Sequence, residues 1–187
     1  MKMVGEDNEL LQRFLSSFSC KQDTDIQMFL HERAVKFELL SKSCTYLVCD
    51  ERELQEKPLV NVTIYGYISL ALKTLYIPEK ISNRMRKNLD GFSSKMYGKP
   101  ISDITCYLIG QLGRNSNVSK TSLHGNELLQ YAYDIIMTSV KSVGGRYIMI
   151  ECKNEEKLIE FYKANGFTEI SRSLDEYTVM IQMIRKI

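Results

Sequence analysis

Histidine, proline and net charge are all scarce in this sequence, and each scarcity excludes a class of protein. His31 and His124 are the two histidines, and neither has another histidine or a cysteine pair nearby, which argues against zinc sites and histidine-based triads. A formal net charge of +2 provides no overall attraction to polyanions. No run approaches the roughly 18 apolar residues of a membrane span, and residues 1–9 lack a signal-peptide pattern. We therefore expect a soluble cytoplasmic protein with no membrane contact and no metal.

Linkers and repeats are also missing. Three prolines and ten glycines form no Pro-rich or Gly/Ser-rich stretch that divides the chain, and no internal repeat is visible. The motifs GxSxG and GxxxxGK(S/T), which mark a nucleophile elbow and a P-loop, do not occur. Five cysteines, most of them inside apolar runs, favour reduced thiols. Because 187 residues with 44% hydrophobic side chains are typical of one globular core, we predict a single domain over 1–187.

The hydrophobic pattern predicts an α/β domain around a mixed sheet. Apolar side chains at steps of three and four predict a helix over 25–40. Residues 44–49 and 60–70 are rich in β-branched and aromatic side chains and predict two neighbouring strands, joined by a polar solvent loop at 50–57. Residues 78–100 are typical of an elaborated connection with one short helix inside it. Beyond it the pattern predicts strand, helix, strand, helix, strand and strand, over 104–112, 125–142, 146–152, 155–165, 167–171 and 177–184.

A strand, turn and helix at residues 106–129 form the first candidate binding site. An apolar strand is followed by a polar run to Lys120 and by a helix that begins near Gly125. The backbone amides and the dipole at such a helix start can hold a pyrophosphate, and glycine lets a ligand approach the main chain closely. An ordinary strand-to-helix loop is the alternative, since many βα units turn in this way.

A buried strand that runs into an acidic helix start, at residues 147–167, is the second candidate. Glu155 and Glu156 complement the helix dipole, and the pair Asn165-Gly166 can supply the left-handed residue that ends the helix. Residues 161–167 read FYKANGF, which resembles the FYxxxGF signature near the end of domains of the general N-acetyltransferase (GNAT) superfamily. Without that resemblance, Tyr162 would be interpreted as a core aromatic on an amphipathic helix.

Earlier segments are similar to the GNAT subgroup that includes toxin-type acetyltransferases. Residues 18–20 (FSC), 29–30 (FL) and Ala34 resemble its FxC…FL…A pattern, and residues 65–70 (YGYISL) resemble its GYxxL strand. The resemblance thus spans nearly the whole chain. It implies an α/β fold with a GNAT-like mixed, mostly antiparallel central sheet flanked by helices, and acetyl-coenzyme A (acetyl-CoA) as cosubstrate.

The resemblance also implies which residues bind the coenzyme. The strand before the phosphate loop binds the pantetheine arm through its backbone, and the loop itself resembles (Q/R)xxGx(G/A), with lysine at its opening and leucine at the first glycine position. Many relatives place an asparagine seven residues before the tyrosine, where Glu155 stands here, one residue after Asn154. The implied coenzyme-binding set is Leu112, Gly113, Arg114, Lys120, Thr121, Ser122, Leu123, His124, Gly125, Asn126 and Asn154.

For catalysis, the resemblance implies that Tyr162 protonates the leaving thiolate, because a phenol with an ordinary pKa of about 10 is protonated at neutral pH. No carboxylate interrupts residues 104–112, so the candidate base is either Glu151, at the end of a buried strand, or ordered water. A solvated strand end is the alternative interpretation of Glu151.

The acceptor is less well defined. The resemblance implies acetyl transfer to a primary amine of a small molecule or protein, with two alternatives: aminoacyl-tRNA, as in the toxin-type relatives, or a catalytically weak CoA-binding module. RNA phosphates would suit a basic cluster, whereas Glu79 and Asp90 favour an ordinary solubilising surface. The oligomeric state stays open, a homodimer included. The basic cluster comprises Lys80, Arg84, Arg86, Lys87, Lys95 and Lys99.

Overall fold

The computed structural model describes residues 9–175 and 178–187, which divide into two compact units. Unit one contains the described residues of Met1–Ala71 together with Ile109–Ser142, and unit two contains Leu72–Leu108 and the described residues of Val143–Ile187. The single domain expected over 1–187 remains a prediction.

Seven α-helices and eight strands account for most of the described residues. The helices are α1 (Glu9–Ser16), α2 (Thr24–Met28), α3 (Ala34–Leu39), α4 (Glu51–Glu56), α5 (Asn83–Asp90), α6 (Gly125–Val143) and α7 (Glu156–Ala164). The strands are β1 (Cys44–Cys49), β2 (Ile64–Tyr76), β3 (Lys95–Met96), β4 (Lys99–Pro100), β5 (Asp103–Arg114), β6 (Tyr147–Lys153), β7 (Thr168–Asp175) and β8 (Thr178–Lys186). Six strands pair in the order β1-β2-β5-β6-β8-β7, and β3 pairs with β4. The predicted mixed, mostly antiparallel α/β architecture is confirmed.

Unit one has its own aromatic core. Tyr67 on β2 is completely buried, and its hydroxyl donates to the carbonyl oxygen of Ile26 at 2.5 Å. Phe18 meets the Tyr67 ring edge-on, with ring centroids 5.2 Å apart. Leu30 and Ile64 are fully buried beside them. The alternation of β2 and the periodicity of the first helices therefore converge on one apolar cluster.

The predicted helix at 25–40 is confirmed, although one turn of it is not α-helical. Asp23 caps α2 by accepting from the backbone amide of Asp25 at 3.0 Å. The π-helical segment Phe29–Arg33 then joins α2 to α3 and places Phe29 and Leu30 in the core. Residues 24–39 thus form one continuous helical stretch.

The predicted solvent loop at 50–57 was wrong, because most of it is helix α4. The side chain of Asp50 accepts from the amides of Arg52 at 2.8 Å and Glu53 at 3.1 Å, which is an N-cap. Glu53 in turn accepts from the amide of Thr63 at 2.7 Å, just before β2 begins. The second strand accordingly starts at Ile64 rather than at 60 and continues to Tyr76.

Unit two packs strands β2, β5, β6 and β8 around Leu75, Cys106, Met149 and Ile184. The connection at 78–100 contains α5, as predicted, and the hairpin of β3 and β4. Arg86 of α5 is only 6% exposed, so its assignment to a surface cluster of cations was wrong. Its guanidinium donates to four backbone carbonyls, because the chain wraps around it. They belong to Pro78 (3.0 Å), Glu79 (3.1 Å), Ile81 (3.2 Å) and Ile101.

No helix within residues 9–175 and 178–187 combines the length and hydrophobicity needed to cross a bilayer. The same residues contain no group of three or more histidine, cysteine or acidic side chains arranged to hold a metal ion. All five cysteines are free thiols.

Candidate functional site

The turn that follows β5 is fixed by Asn115, which is 3% exposed. Its side-chain amide donates to the carbonyl of Ile64 at 2.7 Å, and its backbone amide donates to the carbonyl of Tyr65 at 2.9 Å. Its side-chain oxygen accepts from the amides of Ser19 at 3.2 Å and Asn117 at 2.9 Å. The start of the candidate phosphate loop is therefore held to β2 and to the α1–α2 connection by one buried amide.

The side chain of Arg114 braces the far part of the same loop. Its guanidinium donates to the carbonyls of Lys120 at 3.3 Å and Leu123 at 3.4 Å. The amide of Ser122 closes a turn on the carbonyl of Ser119 at 3.1 Å. Lys120, Thr121 and Ser122 are exposed. Arg114, which the resemblance singled out for its backbone, therefore also shapes the loop through its side chain.

Leu123, at the first glycine position of the loop pattern, turns into the core and is 3% exposed. It packs where Gly66 of β2 has no side chain: a Cβ at position 66 would lie 2.7 Å from Leu123 Cδ2. The same Cβ would lie 2.9 Å from the carbonyl oxygen of Gly113 on β5. The side chain of Leu123 is thus accommodated because its neighbour on β2 is a glycine.

Gly66→Ala is expected to destabilise the protein by about 1–3 kcal/mol, because the new methyl group overlaps both Leu123 and the Gly113 backbone. Urea unfolding measures the loss of stability. In a double-mutant cycle with Leu123→Ala, the two losses of stability should be less than additive, since only the overlap with the Gly113 backbone then remains. Wild-type stability of Gly66→Ala alone would contradict this packing.

Helix α6 begins at Gly125, and a carboxylate already occupies its first turn. Glu127 accepts from the backbone amide of His124 at 2.6 Å, as the third helical residue does in a capping box. The amide of Leu128 then donates to the carbonyl of His124 at 3.1 Å. An anion that uses the His124 amide must therefore displace the Glu127 carboxylate.

Tyr162 lies on α7 and is 9% exposed. Phe161 and Phe167 meet its ring edge-on, with centroid distances of 5.1 and 5.6 Å. Burial, followed by the neighbouring Cys152, raises the pKa of the Tyr162 phenol well above its usual range. Burial likewise raises the pKa of the Cys152 thiol to about 11. Both groups are consequently protonated at neutral pH. The helix ends where predicted, with Gly166 at φ +82°.

Glu151 on β6 belongs to a row of polar side chains in unit two. One carboxylate oxygen lies 2.5 Å from the Lys73 ammonium on β2, and the other accepts from the Gln182 amide on β8 at 2.8 Å. The Ser171 hydroxyl on β7 donates to Gln182. The side chain of Glu151 retains 21% exposure. Glu151 is therefore a partnered, half-buried carboxylate rather than a solvated strand end.

The structure groups the predicted residues into two sets. Residues 112–114 and 120–126 lie together in unit one, around the end of β5 and the start of α6. Glu151, Asn154 and Tyr162 lie in unit two, where Asn154 is exposed between β6 and α7. Sequence reasoning missed the supporting residues Asn115, Lys73 and Gln182, because each acts through a partner distant in sequence.

The sequence matches no protein-family model, and no curated protein matches it. Solved structures do match. One is AtaT complexed with acetyl-methionyl-tRNAfMet, with 19% identity, a TM-score of 0.62, and coverage of 89% of this chain and 85% of that one. The chain has the fold of the GNAT-like toxins.

Two further structures support this assignment of the fold. A tyrosine-to-phenylalanine variant of KacT is 17% identical, with a TM-score of 0.64 over 90% of this chain and 85% of that one. A tyrosine-to-phenylalanine variant of the AtaT toxin, bound to the C-terminus of the antitoxin AtaR and to acetyl-CoA, is 17% identical. Its TM-score is 0.58, over 90% of this chain and 84% of that one. At these identities the likeness concerns the GNAT-like fold, and function is a separate question.

Proposed function

We propose that this chain is an acetyl-CoA-dependent N-acetyltransferase whose acceptor is the α-amine of an aminoacyl-tRNA. The observation that carries the proposal is a loop whose residues 120–122 are exposed directly before α6. Arg114 and the packing of Leu123 against Gly66 hold this loop in place. Helix starts of this kind bind diphosphates. The GNAT-like fold, and the acetyl-CoA bound to AtaT, agree with that ligand.

Acetyl-CoA supplies an acetyl group activated as a thioester. We assign its pantetheine arm to the backbone of residues 112–114 and its diphosphate to residues 120–126, with Asn154 as a further contact. Lys120 adds a positive charge at the loop, and Arg114 holds the loop carbonyls. Because Glu127 accepts from the His124 amide, binding in this scheme exchanges a carboxylate for a phosphate at the start of α6.

In the proposed reaction, the neutral amine of the acceptor attacks the thioester carbonyl and a carbon–nitrogen bond forms. The carbon–sulfur bond then breaks, the nitrogen loses one proton, and the sulfur gains one, which leaves an amide and free coenzyme A. We assign the proton given to sulfur to Tyr162, since its buried phenol carries a proton at neutral pH. The tyrosine-to-phenylalanine variants of AtaT and KacT support testing the same change here.

Glu151 is the proposed acceptor of the proton from nitrogen. Both carboxylate oxygens already accept hydrogen bonds, so an incoming amine must share or replace the contact with Lys73. Glu151→Gln is then expected to lower kcat by about 10²–10⁴. Lys73→Met is the matched control: it frees the carboxylate and should keep or raise kcat. Equal losses of kcat in both variants would mean that the Glu151–Lys73 ion pair has a structural role. Ordered water would then be the remaining candidate for the base.

Aminoacyl-tRNA is favoured over other amines for two reasons. AtaT, with the same fold, was solved with acetyl-methionyl-tRNAfMet. Five of the six cations of the basic cluster, all except Arg86, are exposed, and contacts to phosphates require such exposure. The amine of a small molecule or protein is the second candidate, and cytoplasmic location and a homodimer stay predictions.

Calorimetry with acetyl-CoA, followed by an assay of free thiol release, tests the proposal. Aminoacyl-tRNA should stimulate thiol release strongly, whereas uncharged tRNA, which lacks the α-amine, should not. A panel of free amines and peptides covers the second candidate. Binding of acetyl-CoA without thiol release for any amine would instead indicate a CoA-binding module, and absence of binding would remove the proposed function altogether.

A further inference from the structure

Residues 76–102 carry a charge that differs from the rest of the chain. They contain six cationic and two acidic side chains, a net charge of +4, whereas the whole chain carries +2 and the remainder therefore −2. Arg86 is buried, but the other five cations are exposed. Of the two acids, Asp90 is engaged with backbone amides of its own loop. The five exposed cations are Lys80, Arg84, Lys87, Lys95 and Lys99.

Large aromatic side chains are interleaved with these cations. Tyr97, between β3 and β4, is 98% exposed, and Phe92, just before β3, is 88% exposed. Tyr97 also adopts φ +50°, a left-handed conformation that is uncommon for residues other than glycine. A ring left in water buries little apolar surface within the chain. Two such rings beside exposed cations therefore point to a partner outside the chain.

The hairpin that presents these rings is well tethered. Asp90 accepts from the amides of Phe92 at 3.1 Å and Ser93 at 2.8 Å. The amide of Ile101 donates to the carbonyl of Ser94 at 3.0 Å. Arg86 binds carbonyls on both sides of the hairpin. Binding through Phe92 and Tyr97 therefore requires little ordering of the backbone.

We propose that residues 92–100, the aromatic hairpin, bind unpaired nucleotides of an RNA, with bases stacked on Phe92 and Tyr97 and phosphates against Lys95 and Lys99. This inference rests on the proposed function, since it assigns a surface to the single-stranded end of the proposed tRNA acceptor. Stacking tolerates any base, and lysines neutralise the backbone beside it. Lysine is depleted from protein interfaces, which disfavours a protein partner.

Fluorescence anisotropy with two labelled RNA duplexes tests the inference, one carrying a short unpaired 3′ end and the other ending bluntly at both ends. The double variant Phe92→Ala/Tyr97→Ala should bind the overhang RNA more weakly than the wild type, by at least about fivefold for each ring removed. Its affinity for the blunt RNA should equal that of the wild type. Lys95→Ala/Lys99→Ala should weaken binding of the overhang RNA and reduce the salt dependence of that binding by about 0.7 per lysine. Tyr131→Ala, at a 46% exposed tyrosine of α6, is the matched control.

Equal binding of both RNAs by the aromatic double variant and the wild type would overturn the inference. So would capture of vesicles containing phosphatidylglycerol that depends on the same two rings while RNA binding does not. The measurements need no acetyl-CoA, so they are independent of catalysis. If the aromatic double variant loses overhang binding but the wild type releases no thiol with any acceptor, the hairpin surface is supported and the proposed function is wrong. If the wild type releases thiol but the double variant binds RNA unchanged, the proposed function is supported and the hairpin surface is wrong.

Discussion

Tyr162→Phe is expected to lower kcat by about 10²–10⁴, the usual contribution of a positioned proton donor. Only the hydroxyl is lost, so the contacts of the ring with Phe161 and Phe167 should be kept. The affinity for acetyl-CoA and the stability should therefore change little. Thiol release with saturating aminoacyl-tRNA measures kcat, and calorimetry measures the affinity.

Tyr131→Phe removes a hydroxyl from an exposed tyrosine and should leave kcat unchanged. The pH profile gives a second test of Tyr162. Because burial raises its pKa, the phenol keeps its proton between about pH 6 and pH 10, and the wild type should show no alkaline loss of kcat that depends on this residue. Full activity of Tyr162→Phe would remove the hydroxyl from the mechanism, and an alkaline limb near an ordinary tyrosine pKa would contradict its burial.

Local patterns predicted the elements whose sequence signals agree with their packing. Helix α6 was predicted at 125–142 and occupies Gly125–Val143, because its apolar stripe faces a core and its length leaves no strand alternative. Helix α4 was missed because ERELQE has no apolar face, and its real signal was the N-cap Asp50. The π-helical turn at Phe29–Arg33 was also missed, because one such turn produces no hydrophobic pattern that distinguishes it from an α-helix in the sequence.

The candidate site was predictable only in part, and the reason is sequence separation. Residues 112–126 follow one another, so a strand, a turn and a helix could place them together. The role of Gly66 depends on Leu123, which lies on a different element, and the partner of Glu151 is 78 residues away at Lys73. Arg86 illustrates the same limit: an arginine among lysines and arginines predicts a solvated surface, and only tertiary structure reveals the carbonyls around it.

Arg86→Met is expected to lower the free energy of unfolding by about 3 kcal/mol or more, which makes it the largest stability effect predicted for this protein. Methionine fills much of the volume but donates no hydrogen bond, so four carbonyls lose their partner, at roughly 1–3 kcal/mol for each that stays buried. Urea unfolding measures the change. Amide hydrogen exchange across 77–102 should show that protection is lost first in this connection.

Arg84→Met, on the same helix but exposed, is the matched control and should change stability by less than about 0.5 kcal/mol. Arg86→Lys should recover little, because a single ammonium cannot reproduce a planar fork that reaches carbonyls on several sides.

Since Arg86 also tethers the aromatic hairpin, Arg86→Met should weaken binding of the overhang RNA at temperatures where the protein is still folded. Stability within 0.5 kcal/mol of the wild type, about the size of the control effect, would mean that water replaces the guanidinium and that the hairpin is held by its own turns.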